Sequence, residues 1–320
     1  MIKLAFKEFT KFTTVESTEH KISPVKSVLS GYLSEALLLM KRSPVPDDEA
    51  VHDVRVLMKK SRAALKLIAP LTGEAVFQKE YFVYRDAGRA LGSLRETSVH
   101  RKVLNRLRKE KPSLFAGLKN NLVIEGLFNS VDNSKIITKE VLDAIEEGTV
   151  SLRGSAFRIR FLHLGDVPAD LCFRELEKSY KAAGLTYLAC RSEGRPQRLH
   201  RLRKKVKDLL YQLYVFRPLN NTKVRSLEKK LDALSQQLGV YNDLTQLLLV
   251  LGYDHGNQDN SADLNKLMIF IREKQDEALE KIWPVAYKVF CPGLKLSDIL
   301  GILPAADQQP PHEVLGENDL

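Results

Sequence analysis

VHDVRVLMKKSRAALKLIAP, residues 51–70, lies over LHRLRKKVKDLLYQLYVFRP, residues 199–218, and pairs His52 with His200, Arg55 with Arg203, Lys59 with Lys207, Leu65 with Leu213 and Pro70 with Pro218. Downstream, RALGSLRETSV (89–99) lies over QQLGVYNDLTQ (236–246), and Leu91-Gly92 matches Leu238-Gly239. From 51 to 199 is 148 residues and from 89 to 236 is 147, and two nearly equal offsets argue for an internal duplication more strongly than either match alone. Each Leu-Gly reads as a helix stop, with the glycine closing one helix before the next begins.

Leu, Glu, Lys and Arg at three-and-four spacing run from about residue 24 to 290 without sustained strand-like alternation, so the fold class expected is all-α. The spacing predicts helices at 24–42, 50–69, 73–91, 94–109, 134–148, 169–191, 197–217, 222–238, 241–251 and 262–283, a set that suits helical bundles. Pro44 and Pro46 followed by Asp47 and Asp48 mark a break and an acidic cap for the helix that carries the first repeated stretch. SLRGSAFRIRFLHLGDVP, in the middle stretch, fits a short helix or a loop equally. Beyond residue 290 the sequence is Pro-rich and acidic, which reads as a disordered tail.

On a helical wheel of about 100° per residue, Arg62, Arg55, Lys66, Lys59 and His52 share an arc of about 80°. Apolar residues flank that stripe on both sides, and Asp53 with Lys60 reads as the wet face. In the second stretch Arg203, Lys207, His200, Lys204, Tyr211 and Tyr214 form the same stripe, while Asp208, Arg201, Gln212 and Lys205 read as its solvent side. The ridge from His52 to Lys66 is about 21 Å long at about 1.5 Å per residue, a length suited to a polymer rather than a single phosphate. Unpaired cations cannot be buried at low cost, so the stripes are expected to line a hydrated or anion-filled groove.

Composition agrees. The 320 residues are 44% hydrophobic and 28% charged, which excludes a disordered chain, and 50 Lys and Arg against 40 Asp and Glu favour polyanionic partners. Three cysteines without a C-x-x-C pair offer neither a disulfide framework nor a four-thiolate zinc site. MIKLAFKEFTKFTTVE lacks the apolar core of a signal peptide, so a cytoplasmic protein is expected.

HDVRVLMKKSRAALKL, LGSLRE, LHRLRKKVKDLLY and LGVYNDL, in this order and spacing, resemble the CHAD domain, the conserved histidine α-helical domain, across about residues 24–290. The resemblance implies one compact domain of two pseudo-symmetric four-helix bundles with a central basic groove. Half one then spans about 24–165 and half two about 166–290, after a lead segment at 1–23 and before the tail at 291–320. It also implies binding of inorganic polyphosphate without catalysis, without cofactor or metal, and an association with polyphosphate-metabolising proteins or granules.

Carried onto this chain, the family's histidines match His52 and His200, its basic positions match Arg55, Lys59, Arg62, Arg203, Lys204 and Lys207, and its frequent tyrosine matches Tyr211. Lys66 continues the first stripe, and Arg85, Arg89 and Arg95, around the first Leu-Gly, join as candidates. Arg153, Arg158, Arg174 and Lys178 are weaker ones. Leu210 departs from the family, which often has Arg there, and Asp208 stands where the first half has Lys60, so the second stripe is shorter at its far end.

Enzyme readings fare poorly. His52-Asp53 invites comparison with metal-dependent phosphohydrolases, but its repeat is His200-Arg201, which keeps the imidazole and discards the carboxylate. Glu175-Leu176-Glu177-Lys178 lacks the alternating pattern of the triphosphate tunnel enzymes and reads as helix-surface charge, and no phosphate-cradling glycine loop is present. Nucleic-acid binding is the main alternative, since any basic groove attracts DNA or RNA and Tyr211 and Tyr214 stand on the second stripe. A protein scaffold is the third.

Overall fold

The computed structural model describes residues 22–41, 46–92, 96–119, 121–129, 139–219, 222–253 and 262–301. Arg95 lies outside them. Among the described residues there is no strand, and no helix is long and apolar enough to cross a membrane.

Four helices of the first half pack on one another: α1 (Val25–Met40), α2 (Asp48–Leu67), α4 (Glu74–Ala90) and α8 (Lys139–Phe161), with α3 (Ala69–Thr72) a single turn between α2 and α4. Four of the second half do likewise: α9 (Ala169–Ser192), α10 (Pro196–Leu213), α11 (Thr222–Tyr253) and α12 (Ala262–Phe290), with a 3₁₀ segment at Tyr214–Leu219. α2 packs directly against α10, so the two repeated stretches are neighbours in space. One apolar core runs through both sets, from Leu29, Leu33, Leu57 and Leu65 to Leu202, Leu209, Leu231 and Ile282. A second core joins α5 (Glu96–Glu110), α6 (Pro112–Ala116) and α7 (Leu122–Asn129) to α11 and α12 through Leu104, Leu107, Leu247 and Leu267.

α2 begins as the sequence indicates: Asp47 caps it by accepting from the Ala50 N–H at 2.7 Å, and Asp48 and Glu49 occupy the positive end of the helix dipole. One carboxylate inside the first bundle, Glu80 on α4, is 1% exposed. It accepts from Ser155 and from Arg158 Nε on α8, each at 2.5 Å, so its charge is paired.

Several elements differ from the expectation. The two helices predicted at 222–238 and 241–251 are one, and Leu238-Gly239 lies inside it. An interior glycine costs about 1 kcal/mol, but Leu231, Leu234, Leu238, Tyr241, Leu244 and Leu247 bury one continuous face of α11 and override it. Leu91-Gly92, by contrast, does end α4. The helix predicted at 134–148 is described from Lys139 and runs on to Phe161, so the ambiguous Arg-rich stretch is mostly helical. α12 continues past Pro284, an exposed position where water can satisfy the carbonyl that proline leaves without a donor.

The expected tail boundary moves as well. α13 (Leu296–Leu300) packs on α11 and buries Leu296 and Leu300 completely, so chain assigned to a disordered tail contributes to the core up to Gly301. Two residues read as solvent-facing are not so. Gln212 is 0% exposed, and Lys60 is half-buried with its ammonium over the rings of Tyr32 at 5.6 Å and Tyr214 at 5.8 Å. Both turn inward because neighbouring helices and the 3₁₀ segment cover a face that a single-helix wheel treats as open.

Candidate functional site

α2 packs against α10, and each helix buries an apolar face in the common core: Val54, Leu57, Met58 and Leu65 on one, Leu202, Val206, Leu209 and Leu213 on the other. Helical periodicity then fixes where the remaining side chains go. His52, Arg55, Lys59, Arg62 and Lys66 on α2, and His200, Arg203 and Lys207 on α10, are all half-buried rather than spread over open surface.

Lys59 is the centre of the arrangement. Its four strongest electrostatic neighbours are Lys207, Arg55, Arg203 and Arg62, two from each helix, and every one is a cation. Burial, and then this positive field, push its ammonium from the usual range down to about 7. Like charges gathered in a partly dry place repel one another, so an anion among them is favourable.

The arginines are held in different ways. Arg55 donates from Nη1 to the Gly88 carbonyl on α4 at 2.6 Å. Arg62 stacks its guanidinium over Tyr81 at 5.6 Å, and Arg203 lies against Gly239 on α11. The Nε atoms of Arg62 and Arg203 are buried without a hydrogen-bond partner among the described residues. A buried donor without an acceptor is costly, and an anion oxygen would supply the missing acceptor.

His200 is oriented by α11. Its Nδ1 donates to Asn242 Oδ1 at 2.6 Å, which leaves Nε2 as the atom able to accept a proton. Burial lowers its pKa, the Asn242 bond opposes that, and Lys204 and Arg203 lower it further. Asn242 was missed in the sequence; it sits in the repeated LGVYNDL motif at the place that Arg95 holds in the first half.

The other predicted residues are placed less centrally. Lys66 is spoken for: its Nζ forms an ion pair with Asp208 Oδ2 at 2.5 Å, across from α2 to α10. The acid that shortens the second stripe therefore neutralises the end of the first. Tyr211 is 7% exposed, its hydroxyl pushed up to about 12 by burial, so its ring packs in the core instead of facing the groove. Lys204 is exposed one turn from His200, and Arg89 is exposed at the end of α4, outside the set around Lys59.

Of the weaker candidates, Arg158 is bound to Glu80 and Lys178 to Glu175, while Arg153 and Arg174 face solvent. Glu177 pairs with Lys181 on the same helix. Among the described residues no group of three or more His, Cys, Asp or Glu stands where it could share a metal ion.

Residues 35–251 match the family model of the CHAD domain. The chain belongs to the CHAD domain family. The crystal structure of the CHAD domain from the plant Ricinus communis is similar in fold, with a TM-score of 0.55 and 18% sequence identity, across 86% of this chain and 96% of that one. No curated protein matches the chain. Within this CHAD domain the residues brought together around Lys59 are the ones that recur in both repeated stretches, together with Arg62, which has no cationic counterpart in the second.

Proposed function

We propose that this CHAD domain binds inorganic polyphosphate in a basic groove between α2 and α10, contributed by two pseudo-symmetric halves, and does not turn it over. One observation carries the reading: half-buried Lys59 is surrounded by Arg55, Arg62, Arg203 and Lys207 with no acid among its strongest neighbours. Such a cluster is unfavourable when empty and favourable when a polyanion fills it. A phosphate chain brings about one charge per unit, its oxygens accept the forked donors of Arg55 and Arg203, and its entry releases condensed counterions. The same reading makes it a cytoplasmic protein that keeps company with polyphosphate granules or with the proteins that make and degrade the polymer.

Nucleic acid would meet the same charges. Its bases, however, need aromatic faces to stack on. Tyr211 is buried, and Tyr214 is half-buried with Arg217 over its ring at 3.8 Å and Lys60 at 5.8 Å, so neither ring is offered to a base. A competition titration separates the two ligands. Polyphosphate is expected to displace single-stranded nucleic acid of equal charge at lower concentration, with affinity falling steeply as salt rises. Displacement of polyphosphate by the nucleic acid at equal or lower concentration would overturn the reading.

A further inference from the structure

A lysine amine held among cations and partly out of water has a second chemistry. Lys59 forms no hydrogen bond or ion pair with another described residue, and it is half-buried rather than sealed. Around it stand donors that attract and hold anions: Arg55 and Arg62 from its own helix, Arg203 and Lys207 from α10. Four described acids on these helices bear on other cations. Asp208 of α10 pairs with Lys66, Glu80 of α4 with Arg158, and Asp53 of α2 and Glu35 of α1 bear on Lys60.

We propose that Lys59 is a site of covalent acylation by small acyl phosphates, drawn into the cation cluster by their phosphate and attacked there by the lysine amine. The step balances without further reagents. The amine electron pair forms a C–N bond to the acyl carbon, the C–O bond to phosphorus breaks, and the phosphate leaves with that electron pair. The surplus proton on nitrogen passes to water. Arg55 and Arg203, both electrostatic neighbours of Lys59, supply positive charge to the leaving phosphate, and the product is a neutral amide plus inorganic phosphate. A neutral amine is the reactive form, and the same neighbours that repel a proton from Lys59 keep it in that form near neutral pH.

This chemistry rests on the cation cluster and not on polyphosphate as the ligand. If polyphosphate is the ligand, an occupied groove returns the proton to Lys59 and shields it, whereas the amide removes the central charge of the site. The modification would then report on, and oppose, occupancy.

The test uses the full chain, acetyl phosphate at pH 7.5 and mass-spectrometric initial rates for each lysine, with exposed Lys229 as the internal reference. Lys59 is expected to acylate at least about tenfold faster than Lys229, since the neutral amine is the reactive form and the cations around Lys59 favour it. The advantage should shrink several-fold with an uncharged acetyl ester, which the cluster cannot recruit. A Lys59 rate at or below that of Lys229, or the same ratio with both reagents, would overturn the proposal. Adding long-chain polyphosphate is a separate arm: protection of Lys59 supports the binding reading, and fast acylation without protection counts against that reading alone.

Discussion

Gly92 leaves open the space that the Arg55 guanidinium enters. A Cβ at Gly92 would stand 2.8 Å from Arg55 Nη1 and 2.8 Å from the Arg89 carbonyl, too close for either to remain in place. The second half has the milder counterpart, since a Cβ at Gly239 would lie 3.7 Å from Arg203 Nε, an ordinary contact. The repeated Leu-Gly therefore does more than punctuate helices: each glycine borders the arginine that belongs to its half of the cluster.

Gly92→Ala and Gly239→Ala are thus expected to part company. The first should displace Arg55 from the Gly88 carbonyl and weaken polyphosphate binding severalfold. The second replaces an interior helical glycine where there is room, and should stabilise the fold by about 0.5–1 kcal/mol with binding unchanged. Thermal melts and a binding titration on the two variants check both halves of the statement.

Lys59 makes the ligand-free protein sensitive to pH in a definite direction. Burial and the surrounding cations push its ammonium down to about 7 in the fold from the ordinary lysine value of 10.5, so between those limits the unfolded chain holds the proton that the folded chain has lost. The unfolded state binds more protons there, and stability must rise with pH through that window. Lys59→Met should flatten the rise, stabilise the apo protein at pH 7 and weaken polyphosphate binding. Denaturant midpoints from pH 6.5 to 10 would show it.

Ligand binding should carry the opposite proton flux. A polyanion beside Lys59 favours its charged form, so at pH 8 binding is accompanied by uptake of about one proton, and affinity falls as pH rises above about 7. His200 contributes at lower pH through Nε2, since its pKa is depressed when the groove is empty. Calorimetry in buffers of different ionisation enthalpy measures the uptake directly. Zero uptake at pH 8 would contradict the placement of Lys59 at the anion.

Asp208 restrains Lys66. Their ion pair is about one-third exposed at each end, where such pairs contribute about 1 kcal/mol or less. Asp208→Asn should therefore leave the fold nearly as stable, free the Lys66 ammonium and tighten polyphosphate binding severalfold. A titration at low and at high salt would show the gain at low salt only.

What could be read from the chain was what repeats within it. His52, Arg55 and Lys59 recur as His200, Arg203 and Lys207, and periodicity alone put each set on one side of its helix, beside an apolar face that had to be covered. What could not be read depended on the neighbouring helix. Lys66 looks like the fourth ligand-facing cation of α2 until Asp208 is seen opposite it. Tyr211 sits on the wheel beside His200, yet its bulk is taken up by the core. Gly239 reads as a stop, and only the burial along α11 shows why the helix continues. α6 and α7 left no strong signal because each is a short helix whose apolar residues belong to the smaller, second core.

The most direct measurement is a crystal structure of the full chain with tripolyphosphate. The account predicts phosphate oxygens within hydrogen-bond reach of Arg55, Lys59, Arg203 and Lys207, between α2 and α10. Well-ordered tripolyphosphate on another surface, with those four side chains unoccupied, would contradict it.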